Sequence, residues 1–406
     1  MRILEVNFAD LTGQIFNGYA LHKALNDRGY DAKQAVKRKQ SDLDTVISLA
    51  HDEFLTEQFE EWEREHSVKN VINPYGYGLK KLDEFKNADL VHYHIMFDQA
   101  ISLLDYPDLL KTKKSVWTIH DPWIFTGNCI HPLQCDRWIY GCNNCTKIHD
   151  SLAYMKQDNT NFMWNLKKDI LSKVNPDVVV SCNFLKKYLQ QSPMTKHFNK
   201  IHVIPFGVDI NEYDLIEKSV YKHKLVGNHD TIVIGFRAEN NVIKGCKYLY
   251  EALEMLDIQD KVTLMCVGNG TIPDSISRKY RVIELGWVHD KRNMVNFMEA
   301  CDIFVMPSIA ETFGLMSIEA LAAGNAFICF KSTVMEEITE APECGIAADY
   351  KSSESLANKI LSLVENTDEI KKRAKMGHEL VKNKYTFENY VQGHIDLYRN
   401  IIQGGE

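Results

Sequence analysis

The sequence has no apolar run of the roughly 18 residues that a membrane-spanning helix requires. Its first residues, MRILEVNFADL, place polar and charged side chains where a signal peptide has an unbroken apolar region, so we expect a cytoplasmic protein. It also lacks internal repeats and low-complexity segments. The formal net charge of −8 argues against a dedicated nucleic-acid-binding protein, which normally has a strongly basic domain.

The composition that is present predicts a globular α/β protein. The 406 residues, 45% hydrophobic and 25% charged, are typical of a soluble protein with two domains. Short β-branched runs alternate with longer helical stretches, which is typical of parallel sheets covered by helices. In the first half, strands are predicted near Arg2–Val6, Asp89–Tyr93, Ser115–Ile119, Asp177–Ser181 and Ile201–Ile204, with a helix at Tyr19–Arg28 that ends at Gly29.

A second βα series begins after a polar stretch at 211–230. Its strands are predicted near Thr231–Gly235, Val262–Val267, Asp302–Met306 and Ala326–Phe330. We therefore predict two Rossmann-like domains, 1–209 and 210–385, with parallel sheets facing across a cleft. A terminal helix within 386–406, with Thr386 as its N-cap, is expected to pack toward the N-terminal domain.

The most informative segment, FVMPSIAETFGLMSIEALAAG, occupies 304–324. It predicts a strand, an acidic loop containing Glu311, and a helix with Glu319 about two turns inside. Backbone amides at the helix start would form an anion site, because the first N–H groups of a helix have no partner within it. These amides belong to Phe313, Gly314 and Leu315. The alternative is a solvent-facing loop with two ordinary glutamates.

The segment GFRAENNVIKG at 235–245 follows the first strand of the second domain. Together with the glutamates eight positions apart, it resembles retaining GT-B glycosyltransferases of the Glu-x7-Glu type. The resemblance implies that Arg237 and Lys244 grip the donor diphosphate, that Glu319 holds the ribose and that Glu311 contacts the transferred sugar as a catalytic residue. Such a cation pair would make a catalytic metal unnecessary. An ordinary surface arginine and lysine are the alternative.

The same resemblance extends to weaker positions. His120 in WTIHDP, after a predicted strand, matches the place where an imidazole meets the donor sugar, although a lone histidine there is often structural. Gly13 occupies the place of the glycine-rich amino-terminal loop that faces the diphosphate, with an ordinary turn as the alternative. Val288 lies where backbone groups read the nucleobase. His92 and His94 are interpreted as cleft lining or simple packing.

Four cysteines form a block, with the final two in a Cys-x-x-Cys spacing: Cys129, Cys135, Cys142 and Cys145. Four thiolates would complete a closed, structural zinc site. Two disulfides would require an oxidising compartment, and free thiols are the plain alternative. The block resembles one carried by bacterial glycosyltransferases that build lipopolysaccharide or exopolysaccharide.

These features predict a hexosyltransferase-type enzyme in surface polysaccharide synthesis. Its partners would be a nucleotide-sugar donor and a glycan or lipid-linked glycan acceptor, with no nucleic acid. Peripheral contact with the inner face of the membrane is a further expectation, through a basic surface comprising Lys33, Lys37, Arg38, Lys39, Lys167, Lys168, Lys186 and Lys187. A nucleotide-sugar epimerase, a glycogen-type synthase or a non-catalytic glycan- or nucleotide-binding protein are the alternatives.

Overall fold

The computed structural model describes residues 1–13, 15–16, 18–50, 52–149, 154–215, 218–227 and 230–404. The chain forms two compact units, Met1–Pro205 with Val391–Glu406, and Phe206–Tyr390. The bounds predicted from the sequence, at 209 and 385, lie a few residues from these. None of the helices in the described part of the chain combines the length and the apolar composition that crossing a bilayer requires.

The first unit contains a parallel sheet with the strand order β3-β2-β1-β4-β5-β6-β7 among its described residues. Its strands are β1 Arg2–Ala9, β2 Asp31–Arg38, β3 Val46–Ser48, β4 Leu90–Ile95, β5 Ser115–Ile119, β6 Asp177–Val180 and β7 Ile201–Val203. Its helices are α1 Tyr19–Asp27, α2 Glu53–Glu65, α3 Tyr75–Lys81, α4 Asp83–Asn87, α5 Tyr106–Thr112, α6 Arg137–Tyr140, α7 Thr160–Leu171 and α8 Asn183–Gln191.

The second unit contains a parallel sheet with the order β10-β9-β8-β11-β12-β13 among its described residues. Its strands are β8 Ile232–Arg237, β9 Val262–Val267, β10 Arg281–Glu284, β11 Ile303–Val305, β12 Ala326–Phe330 and β13 Ile346–Ala348. Its helices are α9 Lys218–Val226, α10 Cys246–Met255, α11 Asp274–Lys279, α12 Lys291–Ala300, α13 Leu315–Ala322, α14 Val334–Ile338, α15 Ser353–Val364 and α16 Thr367–Lys384. The last helix of the chain is α17, Phe387–Gln403.

The central strands form because helices cover both faces of each sheet. Every residue of β9 and β12 is buried, as their continuous apolar sequences VTLMCV and AFICF require. In each sheet the strand order reverses direction beside the first strand, between β1 and β4 and between β8 and β11. Ligands of open α/β sheets bind beyond the carboxyl ends of the strands at such a reversal.

The last helix begins as the sequence predicts and joins the first unit from Val391 onward. The Asn389 amide donates to Thr386 Oγ1 at 3.1 Å, which makes Thr386 the N-cap. At the other end, Lys114 Nζ donates to the carbonyls of Ile401 and Ile402 at 3.1 and 2.8 Å. A cation thus satisfies carbonyls that have no partner within the helix.

Two lysines of the predicted basic surface are buried, so the prediction that they contact lipid is wrong. Lys37 lies in β2 with its side chain 3% exposed and pairs with Glu60 at 2.6 Å. Lys167 is fully buried. Its Nζ donates to the Trp123 and Thr126 carbonyls at 2.6 and 3.0 Å. Both side chains point into the unit because these protein acceptors replace water around the ammonium group.

Candidate donor site

The residues predicted to hold the donor diphosphate and the transferred sugar lie at the carboxyl ends of two paired strands. Arg237 is the last residue of β8, and Lys244 ends a short 3-10 helix that follows it. Glu311 lies in the loop after β11. Because β8 and β11 are neighbours across the strand-order reversal, these loops emerge side by side. The second sheet therefore brings together residues that are far apart in sequence.

Lys244 and Glu311 form an ion pair. The Lys244 Nζ lies 2.6 Å from Glu311 Oε1, with the two side chains 27% and 12% exposed. The structure thus brings the predicted phosphate-binding lysine onto the predicted sugar-binding glutamate. Partial burial of both groups strengthens their attraction relative to a fully solvated pair.

The two loops are tied together by backbone contacts beside this pair. The Ile309 amide donates to the Ile243 carbonyl at 2.8 Å. Gly245 has φ +68°, and a Cβ there would lie 1.9 Å from the Pro307 carbonyl oxygen. Glycine is required at this position because only it combines left-handed backbone with so close an approach.

Arg237 lies against the segment predicted to read the nucleobase. Its guanidinium carbon is 5.1 Å from the centroid of the Trp287 ring, and Nη2 is 2.8 Å from Glu239 Oε2. Trp287 is 50% exposed, and its neighbour Val288 is partly buried. An exposed indole beside an arginine provides a flat stacking surface next to a cation.

The helix predicted to supply amides to phosphate begins at Leu315, with Gly314 as its N-cap at φ +82°. The Phe313 side chain is fully buried. Glu319 lies only a little over one turn inside the helix, because the first helical residue is Leu315. The prediction that Glu319 lies about two turns inside is therefore wrong. Burial raises the pKa of Glu319 to about 7, against a lowering by the nearby Lys291 charge.

In the first unit, His120 follows β5 and is 8% exposed. Its Nε2 lies 3.0 Å from His94 Nδ1. Gly13 is exposed in a turn with φ +69°, and its carbonyl accepts a hydrogen bond from the Phe16 amide at 2.8 Å. The donor roles of Gly13 and His120 stay predictions.

The four-cysteine block contains free thiols in this structure. A zinc ion with Zn–S bonds of about 2.3 Å would hold its four sulfurs roughly 4 Å apart. A metal ion could also be held by three or more histidine, cysteine, aspartate or glutamate side chains whose ligand atoms all lie within 4.8 Å of one another. Within the described ranges, Glu5, His92 and His94 form the one such group. The four thiols are not as close together as such a site requires, and the structural zinc stays a prediction.

The block is organised by hydrogen bonds instead. The Gly127 amide donates to Cys142 Sγ at 3.1 Å. A hydrogen bond from the Cys129 thiol lowers the pKa of Cys145, whereas burial raises the pKa of Cys142 to about 11. Two neighbouring thiols of one loop therefore differ widely in acidity.

Sequence reasoning missed the buried partners of His120. It interpreted His92 and His94 as lining or packing, and it did not single out Glu5. A signal was present, since a glutamate in an apolar first strand and two histidines at alternate positions of a buried strand are unusual.

Comparison with known proteins relates the second unit to a family. Residues 230–366 match the sequence profile described as "Glycosyl transferases group 1". The chain is 25% identical over 215 residues to an uncharacterized glycosyltransferase of Methanocaldococcus jannaschii, covering 50% of this chain and 54% of that relative. It is 21% identical over 264 residues to a putative colanic acid biosynthesis glycosyl transferase of Escherichia coli K12, covering 62% of each. The chain thus spans between half and two thirds of these relatives.

A solved structure matches over nearly the whole length. Anabaena HepE in complex with UDP and glucose has a TM-score of 0.65 and 18% identity, covering 98% of this chain and 99% of that one. At this identity the likeness shows the fold alone. The chain therefore has the GT-B architecture of two parallel-sheet α/β domains, and residues 230–366 of its second unit are similar to the group 1 glycosyltransferases.

Proposed function

We propose that the protein is a retaining glycosyltransferase that moves a sugar from a nucleotide diphosphate sugar to a glycan or lipid-linked glycan. The observation that carries this proposal is the gathering of Arg237, Lys244 and Glu311 at the carboxyl ends of β8 and β11. The group 1 family match covers these residues and Glu319. A non-catalytic binding protein would have no need of all four.

Donor binding follows from the chemistry of these groups. Arg237 offers a planar fork of N–H donors to phosphate oxygens, and Lys244 adds a compact charge. The amides of Phe313, Gly314 and Leu315 precede or begin α13, where a partial positive charge favours an anion. Glu319 would accept hydrogen bonds from the ribose, and Val288 would contact the nucleobase beside Trp287. Gly13 would face the diphosphate.

Breaking the glycosidic bond places negative charge on the departing diphosphate and positive character on the sugar. Preorganised cations stabilise the first, an effect often worth several kcal/mol. With Arg237 and Lys244 in that role, the reaction would need no catalytic metal. The acceptor hydroxyl attacks the face that the nucleotide leaves, and a phosphate oxygen takes its proton. Glu311 and His120 would contact the transferred sugar.

The comparisons suggest which substrates to test first. HepE binds UDP and glucose, so UDP-sugars are the first donors. The relative linked to colanic acid biosynthesis favours an acceptor used in surface polysaccharide synthesis. We place the reaction in the cytoplasm, with peripheral contact to the membrane if the acceptor is lipid-linked. The basic residues Arg38, Lys39, Lys168 and Lys187 are exposed and would make that contact, although Arg38 also pairs with Glu60 at 2.9 Å.

The test compares Lys244→Ala with a matched control. Lys247→Ala removes another lysine from the same region, where its side chain is 69% exposed on α10. We expect Lys244→Ala to lower sugar transfer at least about a hundredfold while keeping the fold, and Lys247→Ala to retain transfer. Thermal shifts with UDP, GDP and ADP would identify the nucleobase, because a ligand stabilises the native state that binds it. Normal transfer by Lys244→Ala would refute the diphosphate assignment, and isomerised donor without acceptor would indicate an epimerase.

A further inference from the structure

A chain of hydrogen bonds from Glu5 through His94 crosses the first sheet and reaches His120. Glu5 Oε2 lies 2.7 Å from His94 Nε2, and His94 Nδ1 lies 3.0 Å from His120 Nε2. Glu5 is 0%, His94 2% and His120 8% exposed. The His120 amide also donates to the Ile95 carbonyl at 3.0 Å, which fixes the backbone at the end of β5.

The strand register places these side chains together. Glu5 of β1 is the partner of His92 in β4, and His94 of β4 is the partner of Thr118 in β5. Side chains two positions apart on a strand share a face, so Glu5, His92 and His94 point to one side of the sheet. His120 lies two residues beyond Thr118 and meets the same row.

Glu5 acts as a hydrogen-bond acceptor. Burial alone would raise the pKa of this carboxyl, but the charge and hydrogen bond of His92 and the hydrogen bond of His94 hold its pKa well below the usual range. The Tyr398 hydroxyl donates to its second oxygen at 3.1 Å. An ionised carboxylate has no proton to give, so the proton between Glu5 and His94 belongs to His94 Nε2.

The positions of the ring protons on His94 and His120 follow because both imidazoles are neutral. Burial, and then the charge of His92, lowers the pKa of His94. A neutral imidazole carries one proton, so with Nε2 protonated the Nδ1 of His94 can only accept. His120 Nε2 must then donate. Burial, followed by His94, lowers the pKa of His120 well below its ordinary value, so this ring also keeps a single proton.

We propose that Glu5 and His94 are positioning residues that fix the proton of His120 on Nε2, so that His120 Nδ1 serves as a hydrogen-bond acceptor for a hydroxyl of the donor sugar. The contact with the sugar rests on the proposed function, whereas the position of the proton does not. Glu5 and His94 touch no substrate in this scheme. They act by setting which nitrogen of His120 carries hydrogen.

Gly18 lies over the hydrogen bond between Glu5 and His94. It has φ +78°, and a Cβ there would lie 2.4 Å from His94 Nε2 and 2.9 Å from Glu5 Oε2. The glycine thus lets the backbone close over the Glu5–His94 bond. Shielding from water strengthens a charge-assisted hydrogen bond and keeps the ring in one orientation.

The decisive measurement is nitrogen NMR of the full chain labelled with ¹⁵N-histidine, without donor and at neutral pH. The signals of His120 are identified by their loss in His120→Gln. We expect a protonated Nε2 and an unprotonated Nδ1. A proton on Nδ1, or on both nitrogens, overturns the proposal. This result is independent of any transfer assay, so it separates a failure of the proton assignment from a failure of the transferase assignment.

Two variants test whether Glu5 fixes the proton position on His120. Glu5→Gln keeps the side-chain shape but offers His94 both a donor and an acceptor, so we expect both proton positions on His120 and a lower kcat with little change in KM. Thr118→Val is the matched control, because its hydroxyl contacts His92 Nε2 at 2.6 Å on the same network but outside the Glu5–His94–His120 chain. It should leave the His120 proton on Nε2, and the same change in both variants would overturn the proposal.

The ligand atoms of Glu5, His92 and His94 lie close enough together for a metal ion as well. Elemental analysis of the purified protein therefore accompanies the NMR. A stoichiometric transition metal, with His94 Nε2 bound to it, would overturn the proton assignment. If Glu5→Gln does not fold, the measurement on the unmodified chain still decides.

Discussion

Lys244 Nζ lies 2.6 Å from Glu311 Oε1, so the cation proposed for the donor diphosphate is held by the carboxylate proposed for the sugar. The two groups come from loops after different strands and are 67 positions apart in sequence. A diphosphate entering this place would compete with Glu311 for the ammonium group. The pair thereby keeps Lys244 in position before a donor binds.

We first predict that Glu311→Gln separates donor binding from transfer. Without its carboxylate partner, Lys244 is free for phosphate, and the affinity for the nucleoside diphosphate should rise about fivefold, which corresponds to an ion pair of about 1 kcal/mol. Sugar transfer should fall. Calorimetry and a transfer assay measure the two effects. Glu251→Gln, whose carboxylate lies 4.0 Å from Lys247, is the control and should change neither. Weaker nucleotide binding by Glu311→Gln would contradict the competition.

Our second prediction concerns the pH dependence of stability. Burial raises the pKa of Glu319 to about 7, above its unfolded value of about 4.3. The folded state therefore holds this proton more tightly, and the resulting stabilisation is full below pH 4 and is lost as the pH rises toward 7. Glu319→Gln should raise Tm at pH 8 relative to the natural chain and not at pH 5. Glu57→Gln, at an exposed position of α2, is the control. An equal shift of Tm at both pH values would count against a partly buried Glu319 that ionises in this range.

The third prediction concerns thiol reactivity. Because the hydrogen bond from Cys129 lowers the pKa of Cys145, Cys145 has more thiolate character near neutral pH than an ordinary cysteine. Burial raises the pKa of Cys142 to about 11, so that thiol stays protonated. Iodoacetamide at pH 7 should therefore label Cys145 well before Cys142, as followed by peptide mass spectrometry. If all four cysteines are instead protected from labelling, and a chelator abolishes that protection, the zinc site would be established.

The fourth prediction concerns the backbone beneath the ion pair. Gly245→Ala requires a left-handed alanine, which costs about 1–2 kcal/mol, and its Cβ would collide with the Pro307 carbonyl. We expect a lower Tm and weaker nucleotide binding, because the loops carrying Lys244 and Glu311 must move apart. Gly78→Ala in α3 is the control, since a Cβ there meets nothing within 4 Å. That change should stabilise the helix by up to about 1 kcal/mol. Unchanged binding by Gly245→Ala would show that the loops tolerate displacement.

Much of the fold could be predicted from the sequence, because the central strands are apolar on consecutive residues. Ser115–Ile119, Val262–Val267 and Ala326–Phe330 were predicted at the bounds observed. β2 was missed because its sequence, DAKQAVKR, carries charges in a strand. One of them, Lys37, is buried against Glu60, a pairing that local sequence does not reveal.

For the site, the sequence predicted which residues take part better than it predicted which of them contact one another. Motif spacing singled out Arg237, Lys244, Glu311 and Glu319, yet the ion pair of Lys244 and the contact of Arg237 with Trp287 depend on which strands are neighbours. Strand order arises from long-range packing, not from local pattern. The partners of His120 were missed for the same reason, since Glu5 is far from it in the chain but one hydrogen bond from His94.

The last helix affects how the protein can be made. The first unit takes its final segment from Val391 onward, after the whole second unit has been synthesised. Tyr398 of that segment contacts Glu5 and His92, at the centre of the first sheet, at 3.1 and 2.6 Å. A ribosome must therefore release nearly the complete chain before the interior around Glu5 can close, and a nascent first unit would leave that carboxylate without its tyrosine.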